Sequence, residues 1–94
     1  MECNTKYRSR ADIAKDILDA ANGGSTKTKI MYKAYLSYTQ LKEYLSMLIE
    51  NGLIKYDSSE MTFTTTAKGL QYLKVYDKMS EISNQIGEHP ILVN

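Results

Sequence analysis

The chain has 94 residues, with 12 Lys and Arg against 11 Asp and Glu, a net charge of +1, and 43% hydrophobic residues. That length supports one hydrophobic core rather than two, and no apolar run approaches the roughly 20 residues of a bilayer span, so no membrane partner is expected. A lone cysteine, Cys3, cannot close an internal disulfide, and the first eight residues have no apolar stretch of the kind a secretion signal needs; a cytoplasmic location is the expectation.

A near-neutral average argues against an indiscriminate polyanion binder, but the charge is unevenly spread. No acidic residue occurs between Asp19 and Glu43, and that gap holds Lys27, Lys29, Lys33 and Lys42. One locally basic face is therefore expected on a nearly neutral molecule.

In chain order, residues 1–8 read as a flexible N-terminus. Ser9 offers an N-cap with Asp12 three residues on, and Ile13, Ile17, Ala20 and Ala21, flanked by Leu18, make a first helix of about three turns. Asn22-Gly23-Gly24 stops it. Ser25 or Thr26 caps a short second helix with Ile30, Met31 and Ala34 inward, and Tyr35-Leu36 leads on. The best-marked element follows. Ser37 and Gln40 form a capping box, Leu41, Tyr44, Leu45, Leu48 and Ile49 form an apolar stripe, and Asn51-Gly52 ends the helix. Its other face carries Thr39, Gln40, Lys42, Glu43, Ser46, Met47 and Glu50. Two short helices joined by a few residues, the second well capped, predict a helix-turn-helix.

After Gly52 the period changes to two. Leu53–Tyr56 and Met61–Thr64, separated by Asp57-Ser58-Ser59-Glu60, predict a hairpin with a four-residue polar loop. Thr66 caps a last helix, in which Gly69 permits close approach of another backbone, and Leu70 and Leu73 match the globular core. A second stripe, Tyr72, Val75, Met79, Ile82 and Ile86, repeats at coiled-coil spacing. It predicts a dimer seam; the other account is that this stripe folds back on the first helix. Lys68, Lys74 and Lys78 lie mainly in the first part of that helix and Asp77, Glu81 and Glu88 in the later part, which favours antiparallel pairing.

The predicted fold class is α+β, mostly α: a winged helix-turn-helix over residues 9–66, a dimerisation helix at 67–86, and a tail at 87–94. Several stretches carry a family resemblance. Leu-Ile-Glu-Asn-Gly-Leu-Ile-Lys-Tyr at 48–56 and Thr-Ala-Lys-Gly-Leu-Gln-Tyr-Leu at 66–73 resemble the recognition-helix exit and post-wing helix of many prokaryotic winged-helix proteins. Lys-Thr-Lys-Ile-Met-Tyr-Lys-Ala-Tyr-Leu-Ser-Tyr at 27–38 resembles a family of small archaeal winged-helix DNA-binding proteins of chromatin or nucleoid type, and the likeness spans residues 9–83. It implies a homodimer joined by an antiparallel coiled coil, with the helix at 38–51 in the major groove of double-stranded DNA. Against that pattern, the last helix here stops near Gly87, the wing tip has no Lys or Arg, and the net charge is low.

Base-contact candidates are Ser37, Thr39, Gln40 and Glu43: an amide pairs with adenine and a carboxylate accepts from cytosine. Gln40 is also claimed by the capping box. Phosphate-contact candidates are Lys27, Lys29, Lys33, Tyr38 and Lys42, with Arg8 and Arg10 as surface arginines that reach phosphates or stay solvated. Catalysis is not expected, because Cys3 and His89 stand alone at opposite ends and Gly23-Gly24 lacks the context of a phosphate loop. No cofactor, metal or small-molecule ligand is indicated. The competing functional class is a protein–protein adaptor on the same fold, motivated by the acidic wing tip, the low charge and Met47 on the outer face of its helix.

Overall fold

The computed structural model describes the backbone of residues 8–87 and the side chains of 8–83. Its elements are α1 (Arg10–Ala21), α2 (Lys27–Lys33), α3 (Tyr38–Glu50), β1 (Ile54–Asp57), β2 (Thr62–Thr65) and α4 (Ala67–Gly87). Cys3, His89, Pro90 and residues 88–94 of the expected tail lie outside the described residues, as does the side chain of Ile86, while Gly87, expected to open the tail, is the last residue of α4.

Local chemistry sets the helix ends. Ser9 Oγ accepts the Asp12 N–H (3.1 Å) while Asp12 Oδ2 accepts the Ser9 N–H (3.0 Å), closing a reciprocal box at the start of α1. Thr26, not Ser25, caps α2, its hydroxyl accepting the Lys29 N–H at 3.3 Å. At the end of α3 the Leu53 N–H bonds Leu48 O (2.9 Å) and the Gly52 N–H bonds Ile49 O (3.0 Å), a Schellman ending with Gly52 at φ +75°.

Ile17, Leu18, Ile30, Leu41, Leu48 and Ile54 are the largest fully buried side chains, drawn from α1, α2, α3 and β1. Each contributes about 1.5–3 kcal/mol when withdrawn from water, more than a cap or a surface ion pair. Leu18, expected at a flank, is thus central, and Ile13 is only partly buried. Thr65, in β2, donates its hydroxyl to Leu18 O at 2.6 Å, so the sheet is pinned to α1 through a buried hydrogen bond.

Three expectations are corrected by packing. On α3, Ile49 is exposed and Met47 partly buried, the reverse of the predicted faces. Both residues sit at the margins of the Leu41–Tyr44–Leu45–Leu48 stripe, about 90° and about 110° from its centre at 100° per residue, so periodicity cannot choose between them. Arg10 decides: its guanidinium lies 5.0 Å from the Tyr44 ring centroid and 3.6 Å from Met47 Sδ, covering the Met47 side. On α4, Leu70 is exposed because the face against the body of the protein carries Gly69, Tyr72, Leu73 and Tyr76. In the wing the strands begin one residue later than expected. Ile54 pairs with Thr65 and Asp57 with Thr62, leaving Met61 in the loop at φ +53°. Asp57 Oδ1 takes the Ser59 N–H (2.9 Å) and hydroxyl (2.7 Å), a local turn that starts the loop after residue 57 and holds the Asp57 carboxyl below its usual pKa.

Two further contacts shape the frame. Ser25 exchanges backbone hydrogen bonds with Phe63 (2.9 and 2.8 Å), adding a one-residue bridge to the edge of the wing. Gly69 faces Leu53 so closely that a Cβ there would overlap the Leu53 carbonyl oxygen and lie 2.5 Å from Thr65 Cγ2, which is the close approach its sequence position implied.

Candidate nucleic-acid interface

The first turn of α3 is exposed from Ser37 through Gln40. Ser37 Oγ accepts the Gln40 N–H (3.2 Å) and Gln40 Oε1 accepts the Ser37 N–H (3.1 Å), so both predicted contact residues are engaged in the cap. Gln40 keeps its amide N–H groups and one lone pair of Oε1, so a bidentate grip on adenine has to share the oxygen that closes the box. Thr39, Lys42, Glu43 and Ser46 are exposed on one continuous face of α3, with no part in the core.

Lys27, the first residue of α2, reaches toward this turn, its ammonium 5.1 Å from the centroid of the Tyr38 ring. That contact orients a cation and a phenol together at the mouth of α3. Lys29 is exposed in the first turn of α2. Lys33, at the other end of α2, instead lines a shallow groove with Asp16, Asp19 and Ala20 of α1. Of the four predicted lysines, Lys33 thus stands beside carboxylates, Lys27 lies against Tyr38, and Lys29 and Lys42 are exposed.

The arginines do structural work. Arg8 Nη1 donates to Ala34 O (2.6 Å) and to Asp16 Oδ2 (2.9 Å), and Nη2 donates to Tyr35 O (3.0 Å). It ties the start of the described chain to the end of α2. Arg10 is spent on Tyr44 and Met47. No sequence motif marked Arg8, because its partners lie up to 27 positions away.

The wing tip from Asp57 to Met61 carries no basic residue. An apolar groove of about 380 Å³ runs beside it, lined by Lys27, Ile49, Tyr56, Met61 and Phe63. On α4, the Tyr72 hydroxyl donates to Ala11 O (3.1 Å) and the Tyr76 hydroxyl donates to Asp12 Oδ1. The bond to Asp12 and partial burial push the Tyr76 phenol up to about 12 and hold the Asp12 carboxyl below its usual range. Fold-back and free stripe coexist here. Tyr72 joins the packing on α1, whereas Val75, Met79 and Ile82 remain 54, 62 and 53% exposed. The two faces are centred about 100° apart around the helix, with Tyr72 between them. Among the described residues, no group of His, Cys, Asp and Glu could hold a metal ion.

Comparison with known proteins agrees with this architecture. Residues 7–84 match the sequence model of the winged helix-turn-helix family. An uncharacterized protein of Methanocaldococcus jannaschii is 35% identical over 83 residues, 86% of this chain and 84% of its own. Sso10a-2, a DNA-binding protein from Sulfolobus solfataricus, has a similar structure, with a TM-score of 0.79 at 22% identity over 92% of this chain and 93% of that one. At that identity the likeness is one of fold. With the family match covering residues 7–84 and the fold in agreement, the chain belongs to the winged helix-turn-helix family.

Proposed function

We propose that this protein binds duplex DNA as a homodimer, in the role of a transcription regulator or nucleoid-associated protein within the cytoplasm. In this reading the body up to residue 66 reads DNA and α4 joins two copies. The observation that carries it is the mouth of α3: a self-capped, exposed first turn offering Thr39, Lys42 and Glu43, with Lys27 held beside Tyr38. The turn is pre-formed, so entering a major groove costs little ordering entropy. Thr39 and Glu43 then face base edges, while Lys27, Lys29, Lys42 and the Tyr38 hydroxyl take phosphates. Ser37 and Gln40 hold the helix end that does the reading. The structural likeness to Sso10a-2, a DNA-binding protein, supports the same choice. Exposed Val75, Met79 and Ile82 supply the seam, and two α3 helices related by a dyad meet successive turns of one groove.

The test is a salt titration of duplex binding. With three lysines per protomer in place of the four that sequence alone offers, about six phosphates are neutralised per dimer, and log K against log salt should fall with a slope of about −5 rather than about −7. A slope shallower than about −2 removes the electrostatic account. Lys27→Ala should weaken binding to all sequences alike, and Thr39→Ala or Glu43→Ala should change sequence preference.

One observation favours the adaptor reading: Ile49, Tyr56 and Met61 are all exposed around the wing groove. Met47, the residue that first motivated it, is partly buried, and Ile49 takes its place. A mobility shift with random duplex DNA separates the two readings, since an adaptor leaves the duplex unshifted at low salt.

A further inference from the structure

The turn between α2 and α3 holds an ordinary L-residue where glycine is usual. Tyr35 has φ +55° and is 83% exposed. It is the left-handed residue of a Schellman ending, with the Leu36 N–H on Met31 O (3.1 Å) and the Tyr35 N–H on Tyr32 O (3.3 Å). The stop of α3 uses Gly52 at the equivalent position. A left-handed tyrosine brings its Cβ against its own carbonyl, a cost glycine avoids, and an exposed ring gains no burial to offset it. Arg8 nevertheless holds the turn, bonding both Ala34 O and Tyr35 O. The backbone is firmly built to present a side chain outward, and the side chain is a phenol.

Its position says what it meets. Tyr35 precedes the Ser37 cap by two residues, at most about 7 Å of chain, and the phenol is itself about 6 Å long. A major groove is about 12 Å wide. With the first turn of α3 in the groove, a hydroxyl at that offset meets the sugar–phosphate wall rather than the base edges. Tyr32, 71% exposed, and Tyr38, 52% exposed, are further exposed phenols within three residues of it in sequence.

Resting on the duplex-binding reading above, we infer that Tyr35 is a DNA-backbone clamp: its hydroxyl donates to a phosphate oxygen beside the groove that α3 enters, and its ring packs on the adjoining deoxyribose. The contact is neutral. It adds affinity and fixes the register of α3 without displacing a counterion, which separates it from every lysine contact.

The experiment compares parent, Tyr35→Gly, Tyr35→Phe and Lys27→Ala for thermal melting and for random-duplex affinity from about 50 to about 300 mM salt. Tyr35→Gly should melt a few degrees higher, because the left-handed cost is relieved, yet bind roughly tenfold more weakly at every salt concentration with the parental slope. Tyr35→Phe keeps the backbone conformation and should show most of that affinity loss at unchanged Tm. Lys27→Ala should instead flatten the slope by about 1. If Tyr35→Gly binds within twofold of a parent whose slope is steep, or Tyr35→Phe binds as the parent does, the clamp is overturned and the duplex-binding reading survives. A parent that binds no duplex overturns both.

Discussion

Gly69→Ala sets two physical effects against each other, and the structure decides the sign. Glycine inside a helix costs about 0.8–1 kcal/mol relative to alanine, so propensity alone predicts that the substitution stabilises α4. The added methyl, however, would overlap Leu53 O and stand 2.5 Å from Thr65 Cγ2. Neither neighbour is free to yield. Leu53 O accepts the Thr66 N–H at 3.0 Å, and Thr65 is tethered to Leu18 O at 2.6 Å. The Thr66 hydroxyl also bonds Gly52 O (2.6 Å) and caps the Gly69 N–H (3.1 Å), so moving α4 outward strains the joint with the end of α3. Overpacking of this kind costs about 1–3 kcal/mol, and loss of one of these hydrogen bonds about 1 kcal/mol more. Set against the propensity gain, the net is destabilisation by about 2 kcal/mol, or a Tm about 10 °C lower for a domain of this size. Thermal unfolding followed by far-ultraviolet circular dichroism measures it. A Gly69→Ala protein that melts at or above the parental temperature refutes the close seating of α4 on the α3–β1 connection.

Other expectations follow from single contacts. Tyr76→Phe removes the phenol that donates to Asp12, and should cost about 1 kcal/mol near neutral pH for this half-exposed, charge-assisted bond. The Tyr76 phenol is raised, so its share of the stability is complete below pH 10 and lost as pH climbs toward about 12. Asp12 is lowered, so its share is present above its ordinary pKa and lost as pH falls below it. The Tm gap between parent and variant should therefore be widest on a plateau between these limits, and a gap that keeps growing above pH 10 contradicts the assignment. Met79→Glu places a charge on the exposed stripe of α4; under the proposed homodimer, sedimentation should report a smaller species than for the parent, and an unchanged species would remove that stripe as the seam. Ser37→Ala should cost about 1 kcal/mol by opening the capping box, measured by denaturant midpoint at constant m-value.

How far the sequence reaches is best seen at particular residues. The capping boxes at Ser9 and Ser37, the glycine stop at Gly52, the hairpin after it and the cap at Thr66 are legible because every partner lies within a few residues. So is Gly69, whose placement in a helix's first turn has no local benefit and calls for a tertiary reason. Lys27, Lys29, Lys33 and Lys42 stand out in the sequence as a stretch free of acidic residues, but that Lys33 lies beside Asp16 and Asp19 is decided only when α1 packs alongside. Tyr35 left one faint signal. A helix that stops at Ala34 without glycine or asparagine leaves an ordinary residue to take the left-handed position whenever the ending is of that kind, as about a third to a half of helix endings are.

By itself, then, the order of residues determined where helices start and stop, how the hairpin is placed to within one residue, and which stretch presents a polar face. Backbone caps and side-chain periodicity act over three or four positions, and the chain carries that information wherever it goes. Only the tertiary structure decided that Met47 turns inward and Ile49 outward, that Arg8 locks the turn at Tyr35, that Ser25 bridges to Phe63, and that Tyr76 reaches Asp12 across 64 positions. Those choices depend on which neighbour covers a marginal position, and a covering neighbour exists only after the chain has closed on itself.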